Sequence, residues 1–229
     1  MTFPSRRRVA RLVSEFVVIV VGVLVALSVD SWRQNRIDRA LEREYLEQII
    51  ADSRENLRLI AEAIALEQRH LEVAESLWQA AQTDTPPSAD SVGYWLQRRD
   101  GSWWYSDPRL RDGTLTALVQ TGDFALIRDA DARSAILGYV SQLTADLEEF
   151  RRGIQFQGEA NTRLAIRGEI ALTPNLAPAS PREVRRYLAI VRDPEGRAAL
   201  GRLRDAYESR IWYLGQIQAA TEALLASLS

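Results

Sequence analysis

Two hydrophobic patterns divide the chain. Residues 16–29 (FVVIVVGVLVALSV) carry no charge, and Asp30 ends the run. Beyond it, apolar residues recur at spacings of three and four, the signature of helices with one buried face. From Trp32 to Gln82 there is neither Gly nor Pro, and Leu46, Ile50, Leu57, Ile60, Ile64, Leu71, Ala74, Trp78 and Ala81 form a seam that Ser53 and Glu67 interrupt. The spacing predicts a long bundle or coiled-coil helix, about 75 Å if straight, that can be continuous with the apolar run before it. Such a rod is expected to fold back on its neighbours.

Residues 83–88 (TDTPPS) break that helix. A short helix with Val92, Trp95 and Leu96 follows, then turns around Gly101 and Asp107-Pro108, and a short helix over 114–121 stopped by Gly122. Asp129 can cap a long helix reaching about Arg167, with a seam of Ile136, Val140, Leu143, Leu147, Phe150, Ile154 and Leu164. Ser180-Pro181-Arg182-Glu183 reads as a capping box with proline at the first helical position. Asp193-Pro194 restarts a final helix with Leu200, Leu203, Tyr207, Leu214, Ile217, Leu224 and Leu228 on one face. No run alternates with a period of two. The expected fold is all-α: an N-terminal transmembrane helix, then an antiparallel bundle of three long helices with short helices closing one end.

Extended back to Leu12, which takes in Glu15, the run spans about 27 Å, close to the hydrocarbon thickness of a bilayer. Arg6, Arg7, Arg8 and Arg11 precede it and none lies within it, which predicts a cytoplasmic tail (1–11), a signal-anchor span (12–32) and an exported domain (33–229). Arg11 and Glu15 pair one turn apart at the inner edge, and Asp30 and Trp32 mark the outer edge. A cleaved signal peptide ending near Ala26-Leu27-Ser28 and a buried core helix are the competing readings. A twin-arginine match at residues 5–10 is weak in a chain whose basic residues are all arginine. Gly22 and Ala26 form a small-xxx-small pair that would let two membrane helices approach closely.

Composition narrows the chemistry. The 229 residues are 46% hydrophobic and 26% charged, as in globular domains. Zero cysteines exclude disulfides, thiolate metal sites and a cysteine nucleophile, and the single histidine, His70, leaves little room for a metal cage. Outside the basic N-terminus the body is acidic, which argues against a nucleic-acid partner.

The stretch at 17–32 (VVIVVGVLVALSVDSW) resembles the opening of a widespread family of bacterial single-span membrane proteins of unknown function, whose span reads I-x-x-G-[VI]-L-I-A-L-x-[IV]-[DN]-x-W. Gly22, Ala26, Leu27, Asp30 and Trp32 match position by position. Residues 121–127 (TGDFALI) resemble that family's small-Gly-Asp-apolar-x-[LI]-I element. The resemblance implies anchorage in a bacterial inner membrane, with the exported domain periplasmic, and a helical fold, and no chemistry.

Glu67-x-x-His70 has the spacing used in carboxylate-bridged di-iron bundles, but with one histidine a monomer cannot build that site and only a symmetric dimer could supply the second copy, so a solvated helix face is the plainer expectation. Gln157 and Asn161 fall on the seam of the second long helix, where they can face a ligand, fix helix register or reach solvent. The aromatic segment 94–111 either plugs the end of the bundle, the favoured reading, or presents Trp95, Trp103, Trp104, Tyr105 and Arg109 as a ligand or partner surface. No nucleophile elbow, phosphate loop, dinucleotide fingerprint or zinc motif is present, so no catalytic, cofactor or metal residue is expected. The expected role is a non-enzymatic, membrane-anchored interaction or accessory subunit, with the bilayer and a membrane protein or a second copy as partners. The alternative is a periplasmic small-molecule-binding module.

Overall fold

A computed structural model describes the backbone over residues 6–83, 85–97, 107–168 and 178–228. Among these residues the protein is helical without strands. The long helices are α1 (Arg6–Thr83), α4 (Ala130–Gly168) and α6 (Pro194–Leu228); the short ones are α2 (Ala89–Leu96), α3 (Gly113–Gln120) and α5 (Pro181–Arg192), with a 3₁₀ turn at Asp123–Leu126.

The apolar run and the first seam form one unbroken helix. α1 has 78 residues, a rod of about 117 Å. Every residue from 15 to 37 is exposed, a stretch of about 35 Å that includes Phe16, Ile19, Leu24, Leu27 and Trp32. This segment is long and apolar enough to cross a membrane, and none of its apolar window is buried within the protein. The expectation that the rod folds back is therefore corrected. With no Gly or Pro between Trp32 and Gln82, nothing in the chain breaks the helix.

From Ile49 onward α1 packs against α6, which also packs along α4. The residue pairs fix directions: Glu67 meets Arg210 while Trp78 meets Gly201, and Gln157 meets Tyr207 while Tyr139 meets Thr221. α6 therefore runs antiparallel to both α1 and α4. The short helices close both ends rather than one. α2 and α5 cover the end where α1 stops, with the Ala179 amide donating to the Ala89 carbonyl at 2.7 Å. α3 and the 3₁₀ turn sit near the start of the core, on the side of the exposed apolar segment, where Tyr45 donates to Asp123 at 2.7 Å.

Local sequence signals act as read. Ser180 and Glu183 make both halves of a capping box ahead of α5. The Asp129 carboxylate accepts from the Asp131 and Ala132 amides at the start of α4, at 2.8 and 3.1 Å. Gly122 has φ +79°, the left-handed conformation that ends α3 without a Cβ penalty. Asp193 ends α5 and caps α6 by accepting from the Gly196 amide at 3.1 Å.

The buried line of α1 differs from the seam drawn through its large apolar residues. Ile49, Ser53, Asn56, Ile60, Ala63, Glu67, His70, Ala74 and Leu77 are buried. Leu46, Ile50, Leu57, Ile64, Leu71 and Trp78 only flank that line. Asn56 earns its interior place by pairing with backbone: its amide donates to the Arg111 carbonyl at 3.0 Å, and its oxygen accepts from the Arg111 amide at 2.7 Å.

Candidate functional site

The core consists of two apolar clusters separated by a polar layer. One cluster joins Ala74, Leu77, Trp95, Leu164, Tyr187 and Leu203 at the end where α1 stops. The other joins Ile49, Ile60, Ile136, Phe150, Leu214 and Ile217 toward the end nearer the exposed apolar segment. Between them lie Glu67 and His70 of α1, Gln157 of α4 and Arg210 of α6. Glu67, His70 and Arg210 have no exposed surface, and Gln157 is 2% exposed.

Arg210 organises this layer. Its Nη2 donates to Glu67 Oε2 and its Nη1 to Gln157 Oε1, so one guanidinium ties α6 to both neighbouring helices. Its planar group also lies over the rings of Tyr207 (5.1 Å) and Phe150 (5.9 Å). Gln157 Nε2 donates to the Tyr207 hydroxyl at 3.4 Å. His70 Nδ1 is 3.7 Å from Glu67 Oε2, and its ring stacks obliquely between Tyr207 and Tyr94, at 5.3 and 5.9 Å between centroids.

Burial pushes the Glu67 carboxyl upward, but His70 and the Arg210 cation beside it outweigh that effect, and the net displacement is below the ordinary glutamate value. Glu67 is thus held as a carboxylate. One turn farther along α4, Asn161 Oδ1 accepts from Trp95 Nε1 at 3.0 Å, and Trp95 meets Tyr187 edge-on at 5.4 Å. Burial raises the Tyr187 hydroxyl well above its ordinary value, keeping it protonated.

A glycine makes this layer possible. A Cβ on Gly153 of α4 would lie 2.7 Å from Arg210 Cγ and 3.1 Å from its Cδ. The arginine stem therefore crosses α4 where that helix has no side chain. On the outer side, Gly153, Phe156, Ala160 and Ala206 floor a cleft of about 440 Å³ between α4 and α6, with Arg163 and Arg202 among its rim residues. Arg210 itself is buried beneath this floor.

With its charged groups closed off from solvent, the layer presents no accessible polar surface. It can join three helices at one level and fix their register, since a buried charge tolerates no slip away from its partner. No group of three or more acidic or histidine side chains suited to a metal occurs among the described residues.

The sequence-based sites distribute unevenly. Glu67 and His70 are core residues, which corrects the expected solvated face: α1 turns this edge toward α6, where Arg210 supplies the missing charge. Gln157 and Asn161 are buried and hydrogen-bonded within the protein. Trp95 is fully buried, which removes it from the proposed ligand or partner surface; its indole is held between Asn161 and Tyr187. Arg109 is exposed, whereas Trp103, Trp104 and Tyr105 lie outside the described residues. Gly22, Ala26, Asp30 and Trp32 lie exposed along α1, as does Glu15, while the Arg11 side chain is outside the described set. In the TGDFALI element, Asp123 accepts from Tyr45 and from Thr121, which lowers its carboxyl pKa. Arg210 was missed because an isolated arginine within an arginine-rich amphipathic helix resembles a surface residue. Its place between Tyr207 and Leu214, one turn from each seam position, was the available signal.

Comparison with protein-family models, with curated proteins and with solved structures finds no match for this chain.

Proposed function

We propose that this protein is a non-enzymatic, single-span membrane protein of the bacterial inner membrane, with its N-terminus cytoplasmic and its helical domain periplasmic. In this reading it serves as an interaction or accessory subunit of a membrane complex. The observation that carries the proposal is the continuity of α1: an exposed apolar segment runs without a break into the helix that frames the core. So large a contiguous apolar surface on a domain that is otherwise well packed calls for lipid or a partner around it. The four arginines ahead of the run and the Asp30–Trp32 boundary after it support the two edges of the span. The resemblance of residues 17–32 and 121–127 to a single-span family supports the same anchorage. Gly22 is open on the helix surface, with no atom within 4 Å of where a Cβ would lie, which suits close approach by a second membrane helix.

The membrane part of the proposal is tested by alkaline extraction of membranes, in which the full chain is expected to stay with the lipid. The subunit part is tested by in-cell cross-linking and by mass measurement after gentle detergent extraction. A complex larger than the monomer is expected. A lone monomer without cross-links would overturn the subunit reading.

A further inference from the structure

The helix segment just beyond the apolar run carries a one-sided charge pattern. At 100° per residue, Arg33, Arg36, Arg39 and Arg43 fall within an arc of about 120° of α1, with Trp32 on the same arc. Asp30, Asp38 and Glu42 fall outside that arc. All four arginines are exposed, and none is ion-paired with an acid among the described residues. The nearby acids are engaged elsewhere: Asp38 accepts from Gln34 at 2.8 Å, and Glu42 accepts from the Arg128 amide at 2.6 Å. The guanidinium of Arg36 lies 5.8 Å from the Trp32 ring centroid. The fold adds a further cation at this level, because Arg128, from the connection ahead of α4, donates to Asn35 at 3.1 Å.

Heights along the helix identify what this face meets. Arg33, Arg36 and Arg39 stand about 6, 10 and 15 Å beyond Val29, the first within the headgroup layer and the next two just outside it if the apolar run fills the hydrocarbon. An arginine side chain leaning toward the membrane reaches phosphate oxygens from there, and its fork of donors matches them in pairs. We propose that the basic face formed by Arg33, Arg36 and Arg39 binds the phosphates of anionic phospholipid headgroups, holding the otherwise acidic domain upright at the bilayer surface. The inference rests on the membrane anchoring proposed above.

The test uses the full chain reconstituted in phosphatidylcholine bilayers containing 25% phosphatidylglycerol, with trace spin-labelled lipid of either headgroup reporting association with the protein. Wild type is expected to favour phosphatidylglycerol about threefold. The triple variant Arg33→Gln/Arg36→Gln/Arg39→Gln should lower this preference to about one, while Arg54→Gln, farther along α1, should leave it unchanged. Equal association of both lipids with wild type, as expected of a face built for an acidic protein segment, would overturn the proposal, as would a triple variant that still selects. Replacing chloride by inorganic phosphate at constant ionic strength should not alter the preference; its loss would identify a free-anion site instead. Alkaline extraction separates the two readings. Chain released from the membrane refutes anchoring, whereas retained chain without lipid preference refutes this inference alone.

Discussion

Gly153 and Arg210 form a single structural unit: the missing side chain of one is the space through which the other reaches Glu67 and Gln157. An alanine at 153 would bring its Cβ to 2.7 Å from Arg210 Cγ, in the middle of a fully buried side chain rather than at a mobile tip. The Gly153→Ala variant should lose about 1–3 kcal/mol of stability, despite the higher helix propensity of alanine. Urea titration of the domain in mild detergent measures this. Combining it with Arg210→Met should cost clearly less than the sum of the two single changes, because they share one contact.

The Glu67–Arg210 pair makes a second prediction. Removing one partner leaves a desolvated charge, so Glu67→Leu or Arg210→Leu alone should cost about 3–5 kcal/mol. The double variant Glu67→Leu/Arg210→Met should recover most of that loss, since two apolar side chains can bridge the clusters on either side. Its expected defect is looser helix register, visible as faster amide exchange in α4 and α6 without a matching loss of midpoint.

Acid should weaken the same layer. The Glu67 pKa is lowered on folding, so its contribution is complete above the ordinary glutamate value of 4.5 and is lost as the pH falls through the folded-state value below it. Denaturant midpoints measured from pH 6 down to pH 3 should fall, and the fall should be shallower in Glu67→Gln.

The α5–α6 junction allows no side chain at Gly196, where a Cβ would lie 2.0 Å from the Ile190 carbonyl oxygen. The obstacle is backbone, so the junction itself must open. Gly196→Ala should destabilise by about 2–4 kcal/mol, whereas Gly158→Ala, with no neighbouring atom within 4 Å, should be neutral or slightly stabilising.

Much of the fold was legible because local chemistry specifies helix ends. Ser180 and Glu183, Asp129, Gly122 and Asp193-Pro194 each act where their residue types place them. The α4 and α6 seams were also readable, since Ile136, Leu143, Phe150, Leu200, Leu203 and Leu214 are all buried. The α1 line was misread for a physical reason. Large apolar residues such as Leu57 and Leu71 mark the flank of a wide buried face, while its centre holds Ser53, Asn56, Glu67 and His70. Of these, Asn56 and Glu67 are paired with residues 55 and 143 positions away, Arg111 and Arg210, which no local window contains. The same distance hid the return of Arg128 to Asn35.

The account rests on α1 crossing a bilayer with the domain on the far side. The chain has no cysteine, so single cysteines can be introduced without background. The decisive measurement is labelling of Ser5→Cys and Ser229→Cys variants in intact spheroplasts with a membrane-impermeant maleimide. Label on the C-terminal cysteine before lysis, and on the N-terminal one only after lysis, is the predicted result. Protection of the C-terminal cysteine until the cells are broken would contradict the account.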